Sequence, residues 1–228
     1  MELSIDTSTR YAAVALSSQG EAVMELSWRS AQNHSVEFVP AVRRLMEQAN
    51  CAMGQIDAIF VARGPGGFSA LRVGLSVAKS IAMARGIPLV AVGTLELEAR
   101  PYLGLGLPVC ALIEAGRSRV YTAIFDGDGE PGAGSGVETH EGLVSSTQRR
   151  TLFCGEGAMA IEGMLRERLG SLAAVPDLPP PTRRPAVLAR LGYMRLQDSE
   201  TDDPASLQPL YMRGAQIQTA ERKAKEAR

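Results

Sequence analysis

Apolar positions along the chain fall into short blocks whose period shifts between two and three-to-four, and each shift marks a change of element. Leu3 to Ile5, Tyr11 to Leu16 and Glu21 to Trp28 are three short runs separated by Thr7-Ser8-Thr9 and Ser17-Ser18-Gln19-Gly20, the pattern of an antiparallel meander. A helix is expected from Ser35 to about Asn50, capped by Ser35, with Glu37 in its first turn and Val36, Val39, Val42 and Met46 on one face. Pro40 removes one early hydrogen bond and bends this helix slightly. Ile56 to Ala62 reads as a buried strand, Phe68 to Arg85 as a helix and Pro88 to Val92 as the next strand, closing a right-handed βαβ unit.

The pattern then breaks. Glycines and prolines around Arg100-Pro101 and from Leu103 to Pro108 mark a domain boundary. Val109 to Ile113 and Val120 to Phe125 read as a second hairpin, Asp126 to Gly136 as a loop, Asp177 to Pro185 as an irregular segment and Ala186 to Gln197 as a short helix. The charged, helix-prone tail after Gln218 reads either as a frayed end or as a partner-binding extension. No internal repeat of fixed period is visible.

Composition narrows the function classes. A chain of 228 residues, 45% hydrophobic, can build one large or two small cores. Its net charge of −1 supplies no global basic field for RNA or membrane. The cations are nearly all arginine; Lys79, Lys223 and Lys225 are the lysines. Cys51, Cys110 and Cys154 are far apart, as expected of small buried thiols in a reduced compartment. With His34 and His140 as the histidines, an imidazole-based metal site is not expected. Met1-Glu2-Leu3-Ser4 lacks a basic leader and no 18-residue apolar run follows, so a cytoplasmic location is expected.

Two places invite comparison with phosphate sites. After Phe60 comes "ARGPGGFSALRVGLSVAKSIA", but both glycine-loop templates fail, because the place where each needs glycine is Ser69. What remains is a turn needing conformational freedom at Gly64, Gly66 and Gly67 around Pro65, with Ser69 as a cap and Gly86 as a left-handed stop. Ala70, Gly74, Ala78 and Ala82 make a stripe of small side chains on the following helix, read either as packing against its own sheet or as a subunit contact. The other place is Asp6-Thr7-Ser8-Thr9 at the end of the first strand. Its hydroxyls and N–H groups can meet phosphate oxygens while Asp6 holds hydrated Mg²⁺, or it is an ordinary turn.

In order along the chain, the Asp-Thr-Ser-Thr hairpin, the meander, "NHSVEFVPAVRRLM", the Gly-Pro-Gly helix, "VAVGTLELEA", "IEAGRSRVYTAIF" and "QPLYMR" resemble the bacterial TsaB (YeaZ) family of the actin/hexokinase superfamily. Glu114 stands where that family's hairpin has aspartate, and Gly116 shifts the pattern. The resemblance covers about 1–125 and 205–213; residues 126–204 match in length and little else. It implies an α/β, actin/hexokinase-like (ASKHA) fold with two lobes, mixed five-stranded sheets flanked by helices and a reduced second lobe. The lobes expected are 1–101 with a returning segment 205–228, and 102–204.

The same resemblance implies a place in the machinery that puts threonylcarbamoyl on the adenosine beside the anticodon of certain tRNAs. The catalytic paralogue of that machinery, TsaD, places two metal-binding histidines four apart after the strand that corresponds to Pro88–Val92; here those positions fall near Thr94 and Glu98. The places comparable to a second phosphate loop offer Glu114-Ala115-Gly116-Arg117 and Cys154-Gly155-Glu156-Gly157. The expected role is therefore a non-catalytic scaffold with a vestigial phosphate loop at Asp6, Thr7, Ser8 and Thr9 and no metal site. Helices near 35–50 and 69–85 are expected to bind the TsaD-like paralogue, with Val36, Val39, Leu71, Gly74, Leu75, Ala78 and Lys79 near that surface. Without the paralogue the same surface pairs with itself as a homodimer. A TsaE-like ATPase is met through the complex, ATP and Mg enter only at the complex level, and tRNA is touched only indirectly. The alternatives are a stand-alone ATPase or sugar kinase using Asp6 to Thr9, and a metalloprotease, against which the two isolated histidines argue.

Overall fold

The structure, a computed structural model, describes residues 1–31, 33–126 and 135–212. Strands β1 (Glu2–Asp6), β2 (Tyr11–Ser18) and β3 (Glu21–Arg29) form the expected meander. Ile5 lies opposite Val14 and Asp6 opposite Ala13. The β2–β3 turn is held from inside: the buried Glu2 carboxylate accepts from Ser17 Oγ at 2.6 Å and from the Gln19 N–H at 2.9 Å.

Helix α1 (His34–Gln48) starts one residue before the expected cap, and no side chain caps it. Its start is fixed instead by the buried His34, whose Nε2 lies 3.0 Å from the Thr9 carbonyl. Phe38, Val42, Leu45 and Met46 face the sheet, whereas Val36 and Val39 are 71% and 57% exposed. The buried face is thus rotated from the expected one, because Phe38 and Leu45 supply more apolar area than the two valines.

Strand β4 (Ala58–Ala62) runs parallel to β1, and helix α2 (Phe68–Arg85) carries the chain to β5 (Leu89–Val92), parallel to β4. Gly67, not Ser69, is the N-cap of α2, and Gly86 ends it at φ 62°. The sheet order is β3-β2-β1-β4-β5. Leu3, Ile5, Val14 and Leu16 pack with Phe38 and Leu45 of α1 and with Leu75, Ala78 and Ala82 of α2. Gly74, Ala78 and Ala82 of the small-residue stripe therefore face the chain's own sheet, whereas Ala70 is half-buried. The short helix α3 (Thr94–Ala99) follows.

The second unit repeats this wiring. Strands β6 (Val109–Glu114), β7 (Arg119–Phe125) and β8 (Gly136–Thr139) form a meander. Helix α4 (His140–Ser146), capped by Thr139 Oγ1, leads to β9 (Thr151–Cys154), parallel to β6. Helices α5 (Glu156–Ala160) and α6 (Glu162–Leu169) then lead to the two-residue strand β10 (Ala173–Ala174). The order β10-β9-β6-β7-β8 matches the first sheet strand for strand. Two short helices and short outer strands replace the long α2 and β3, so this lobe is the reduced one. Cys110, Leu112, Val120, Phe153 and Leu165 form its core.

Helix α7 (Pro185–Gln197) corrects the expected lobe boundaries. Its Leu188 and Leu191 pack with Ala58, Phe60, Ala62, Val90 and Val92, the residues that alternate with those facing α1 and α2. The chain thus divides into Met1–Leu97 with Arg183–Leu210, and Glu98–Thr182 with Tyr211 and Met212 among the described residues. The return comes at Arg183 instead of residue 205, because an apolar sheet face has to be covered by α7. Beyond α7, the Asp202 N–H donates to the Leu89 carbonyl at 2.8 Å and its Oδ2 accepts from the Ala91 N–H at 2.7 Å. The charged tail lies outside the described residues. Among the described residues no helix is long and apolar enough to cross a membrane.

Candidate functional site

The β1–β2 turn gathers the residues singled out in the sequence. Asp6, Thr7, Ser8 and Thr9 are all buried. Asp6 Oδ1 accepts from the Ser8 N–H at 2.8 Å and from Ser8 Oγ at 2.6 Å, an Asx-type turn. Its Oδ2 accepts from Arg183 Nε at 2.8 Å, and both side chains are about 5% exposed, at 6% and 5%. The same guanidinium donates to Thr9 Oγ1 at 2.9 Å, and that oxygen also accepts from the Tyr11 N–H at 3.2 Å. Both oxygens of the candidate carboxylate are thus bound by the chain's own donors. Sequence reasoning missed Arg183. It lies 177 residues from Asp6 in a proline-rich segment, and no local signal singles it out from its neighbour Arg184.

The Gly64-Pro65-Gly66-Gly67 turn serves this hairpin. A Cβ on Gly66 would overlap the Ser8 carbonyl, and the Gly67 N–H donates to that carbonyl at 2.8 Å. Gly64, at φ 106°, accepts from the Thr94 N–H at 2.8 Å. Thr7 reaches into α2, where its Oγ1 donates to the Ala70 carbonyl at 2.6 Å and accepts from the Gly74 N–H at 3.1 Å. A Cβ on Gly74 would lie 2.5 Å from that oxygen. The glycine is needed for the approach of Thr7.

The second unit presents the equivalent turns without the aspartate and its run of three hydroxyls. Its β6–β7 turn carries Glu114, exposed, with Gly116, Arg117 and Ser118 at positive φ. Its β9–α5 turn brings Gly155 and Gly157 against the backbone of Leu112 and Ile113, the same close approach as Gly66 on Ser8. Thr94 and Glu98 are both fully buried. Glu98 Oε1 accepts from Thr182 Oγ1 at 2.8 Å, and its carbonyl accepts from Cys154 Sγ at 3.5 Å. Burial, with Cys154 and Glu98 nearby, raises the Tyr102 hydroxyl to about 12. Burial likewise raises the Cys110 thiol to about 11 and pushes Cys154 well above its ordinary value. Among the described residues no group of three or more His, Cys, Asp or Glu side chains is placed to hold a metal ion.

The surface residues expected near a partner separate into two sets. Leu71, Gly74, Leu75 and Ala78 are buried in the first unit, and Lys79 turns inward to donate to the Leu207 carbonyl at 2.8 Å. None of these presents a contact surface, since the sheet and the returning segment already cover them. Val36 and Val39 stay outside, as do Phe68 (54%) and Met83 (61%) on α2. Phe68 is stacked under the Arg72 guanidinium, 3.7 Å from the ring centroid.

Twin five-stranded sheets of the same wiring, with a hairpin turn facing a glycine turn, define a two-lobed α/β protein of the actin/hexokinase type. The model of the family described as TsaD, tRNA N6-adenosine threonylcarbamoyltransferase, matches residues 28–165. The tRNA threonylcarbamoyladenosine biosynthesis protein TsaB of Bacillus subtilis (strain 168) is 29% identical over 225 residues, 95% of each chain. The chain belongs to the TsaB (YeaZ) family, within the wider family of TsaD. YeaZ from Pseudomonas aeruginosa is similar to 92% of this chain over 99% of its own, at 27% identity and a TM-score of 0.75. The ethanolamine utilization protein EutJ from Carboxydothermus hydrogenoformans shares the fold alone, at 16% identity and a TM-score of 0.50 over 83% of this chain and 89% of its own.

Proposed function

We propose that this chain is a non-catalytic scaffold in tRNA threonylcarbamoyladenosine biosynthesis, binding a TsaD-like paralogue and supporting its transfer of threonylcarbamoyl to the adenosine beside the anticodon. The observation that carries the reading is the pairing of Asp6 with Arg183, which leaves the carboxylate engaged by the chain itself. Nucleotide chemistry needs a hydrated cation beside that carboxylate. ATP, Mg²⁺ and a TsaE-like ATPase then belong to the complex, and tRNA meets this chain only indirectly. The exposed Val36, Val39, Phe68 and Met83 offer apolar anchors on α1 and α2 for the paralogue, or for a second copy in its absence.

The test is a reconstituted modification reaction scored for threonylcarbamoyl-tRNA. Omitting the chain abolishes product, and the variant Asp6→Asn with Arg183→Gln, which removes both charges together, restores it. If that variant joins the complex and is as inactive as omission, the hairpin takes part in the chemistry and the scaffold reading fails. Micromolar binding of Mg·ATP by the chain alone would favour an ATPase instead.

A further inference from the structure

We infer that Arg63 and Thr94, at the carboxyl ends of β4 and β5, form a binding site for a small oxyanion, a carboxylate or a phosphate. Among the described residues three arginines are mostly buried: Arg63, Arg183 and Arg195. Arg183 is paired with Asp6 at 2.8 Å and Arg195 with Glu96 at 2.7 Å. Arg63 has no such partner among the described residues, and its Nε is buried without a hydrogen bond. A buried N–H on a charged group is costly to leave unmet, so this guanidinium calls for an acceptor that the described chain does not supply. Arg63 is partly exposed as a residue, which leaves it open to a ligand arriving from solvent.

The backbone fixes both residues. They follow adjacent parallel strands whose register sets Ala62 beside Val92. The Arg63 N–H donates to the Val92 carbonyl at 3.0 Å, its carbonyl accepts from the Leu210 N–H at 2.7 Å, and the Thr94 N–H donates to the Gly64 carbonyl at 2.8 Å. The Thr94 hydroxyl is fully buried and, among the described residues, likewise without a partner. On Gly93, just before Thr94, a Cβ would meet nothing closer than 3.8 Å, which leaves room there. Glu96 on α3 would repel an anion, but its charge is matched by Arg195. A guanidinium fork and a hydroxyl are donors suited to carboxylate and phosphate oxygens, and the carboxyl ends of parallel strands are where open α/β sheets bind ligands. The inference goes beyond the scaffold reading and does not depend on it.

The experiment follows the Arg63 Nε–H signal of the full chain by nuclear magnetic resonance while inorganic phosphate, or acetate, replaces chloride at constant ionic strength. At least one of the two anions shifts the signal and raises the urea midpoint of the wild type. The anion that acts more strongly identifies the ligand as a phosphate or a carboxylate. Arg63→Met, which keeps the bulk of the stem, is at least as stable as the wild type in chloride, because no partner is lost, and its midpoint does not respond to either anion. Thr94→Val weakens binding about tenfold, the effect of losing one hydrogen bond to a charged group. A signal that neither anion moves overturns the proposal, as does an equal rise of midpoint in Arg63→Met or an unchanged affinity in Thr94→Val. A loss of stability of Arg63→Met in chloride as large as that of Arg183→Met would mean that Arg63 already has its partner within the chain, and overturns the proposal equally. The reconstituted tRNA reaction tests the scaffold and the anion titration tests Arg63, so either can fail without the other.

Discussion

The hydroxyl of Thr7 accepts the N–H of Gly74 at 3.1 Å and, through its own proton, reaches the Ala70 carbonyl four residues earlier in the helix. It thereby bridges two backbone groups that one turn of α-helix would pair directly. Alanine at a helix interior normally gains about 1 kcal/mol over glycine. Here the added Cβ lies 2.5 Å from Thr7 Oγ1, and overpacking costs about 1–3 kcal/mol. Gly74→Ala is expected to destabilise, measured by urea unfolding, and Gly74→Leu to prevent folding. Thr7→Val with Gly74→Ala should recover much of the loss; a stabilised Gly74→Ala would show that the contact is not tight.

Asp6 and Arg183 should be strongly coupled. Removing one member of a buried pair costs about 3–5 kcal/mol, because the other charge is left in a poor solvent. Asp6→Asn alone and Arg183→Met alone are each expected in that range, and the double variant well below their sum. A double-mutant cycle in urea checks this; additive losses would mean that the two charges barely interact.

The thiols set an alkaline limit. Cys110 is held near 11, above its ordinary value of 9.0, by burial; its contact with Thr122 acts the other way. A raised thiol value means that the folded state holds its proton longer than the unfolded chain. Stability from this group is complete below pH 9 and falls as pH climbs toward about 11, by on the order of 2 kcal/mol. Chemical denaturation at pH 8, 9.5 and 10.5 measures the loss. A thiol reagent at pH 8 should label the half-exposed Cys51 and spare Cys110 and Cys154 until the protein unfolds.

The outer faces of α1 and α2 can be tested without disturbing the interior. Val39 is 57% exposed and Phe68 54%, so Val39→Asp and Phe68→Asp should change stability by about 0.5 kcal/mol or less. At a docking surface, loss of an apolar anchor costs about 2 kcal/mol, roughly thirtyfold in affinity. Co-purification with the TsaD-like paralogue, and sedimentation of the chain alone, should both respond. Unchanged association in both assays would move the contact elsewhere.

The first sheet was legible because its meander strands alternate, its inner strands β4 and β5 are short continuous apolar runs, and its turns are rich in Ser, Thr and Gly. Helix α2 could be bounded at its C-terminus because Gly86 punctuates it, whereas the cap expected at Ser69 falls instead at Gly67. The stripe on α2 could not be assigned from sequence, since small residues suit a neighbouring sheet and a neighbouring helix alike; Thr7 decides the matter at Gly74. The elements from 136 to 174 went unread because all are under nine residues and show too little periodicity. Arg183 was invisible for a different reason. A buried carboxylate demands a partner, but nothing in the chain says which of many arginines it will find.

The discontinuity of the first unit sets an order of events during synthesis. All strands of the second sheet have left the ribosome by Ala174, while the first sheet still lacks the helix that covers Phe60 and Val90. The lobe that begins first is thus completed last, and Asp6 waits 177 residues for its counter-ion. Until Gln197 emerges, that apolar face has no cover of its own, so the nascent chain exposes apolar surface that the finished protein buries.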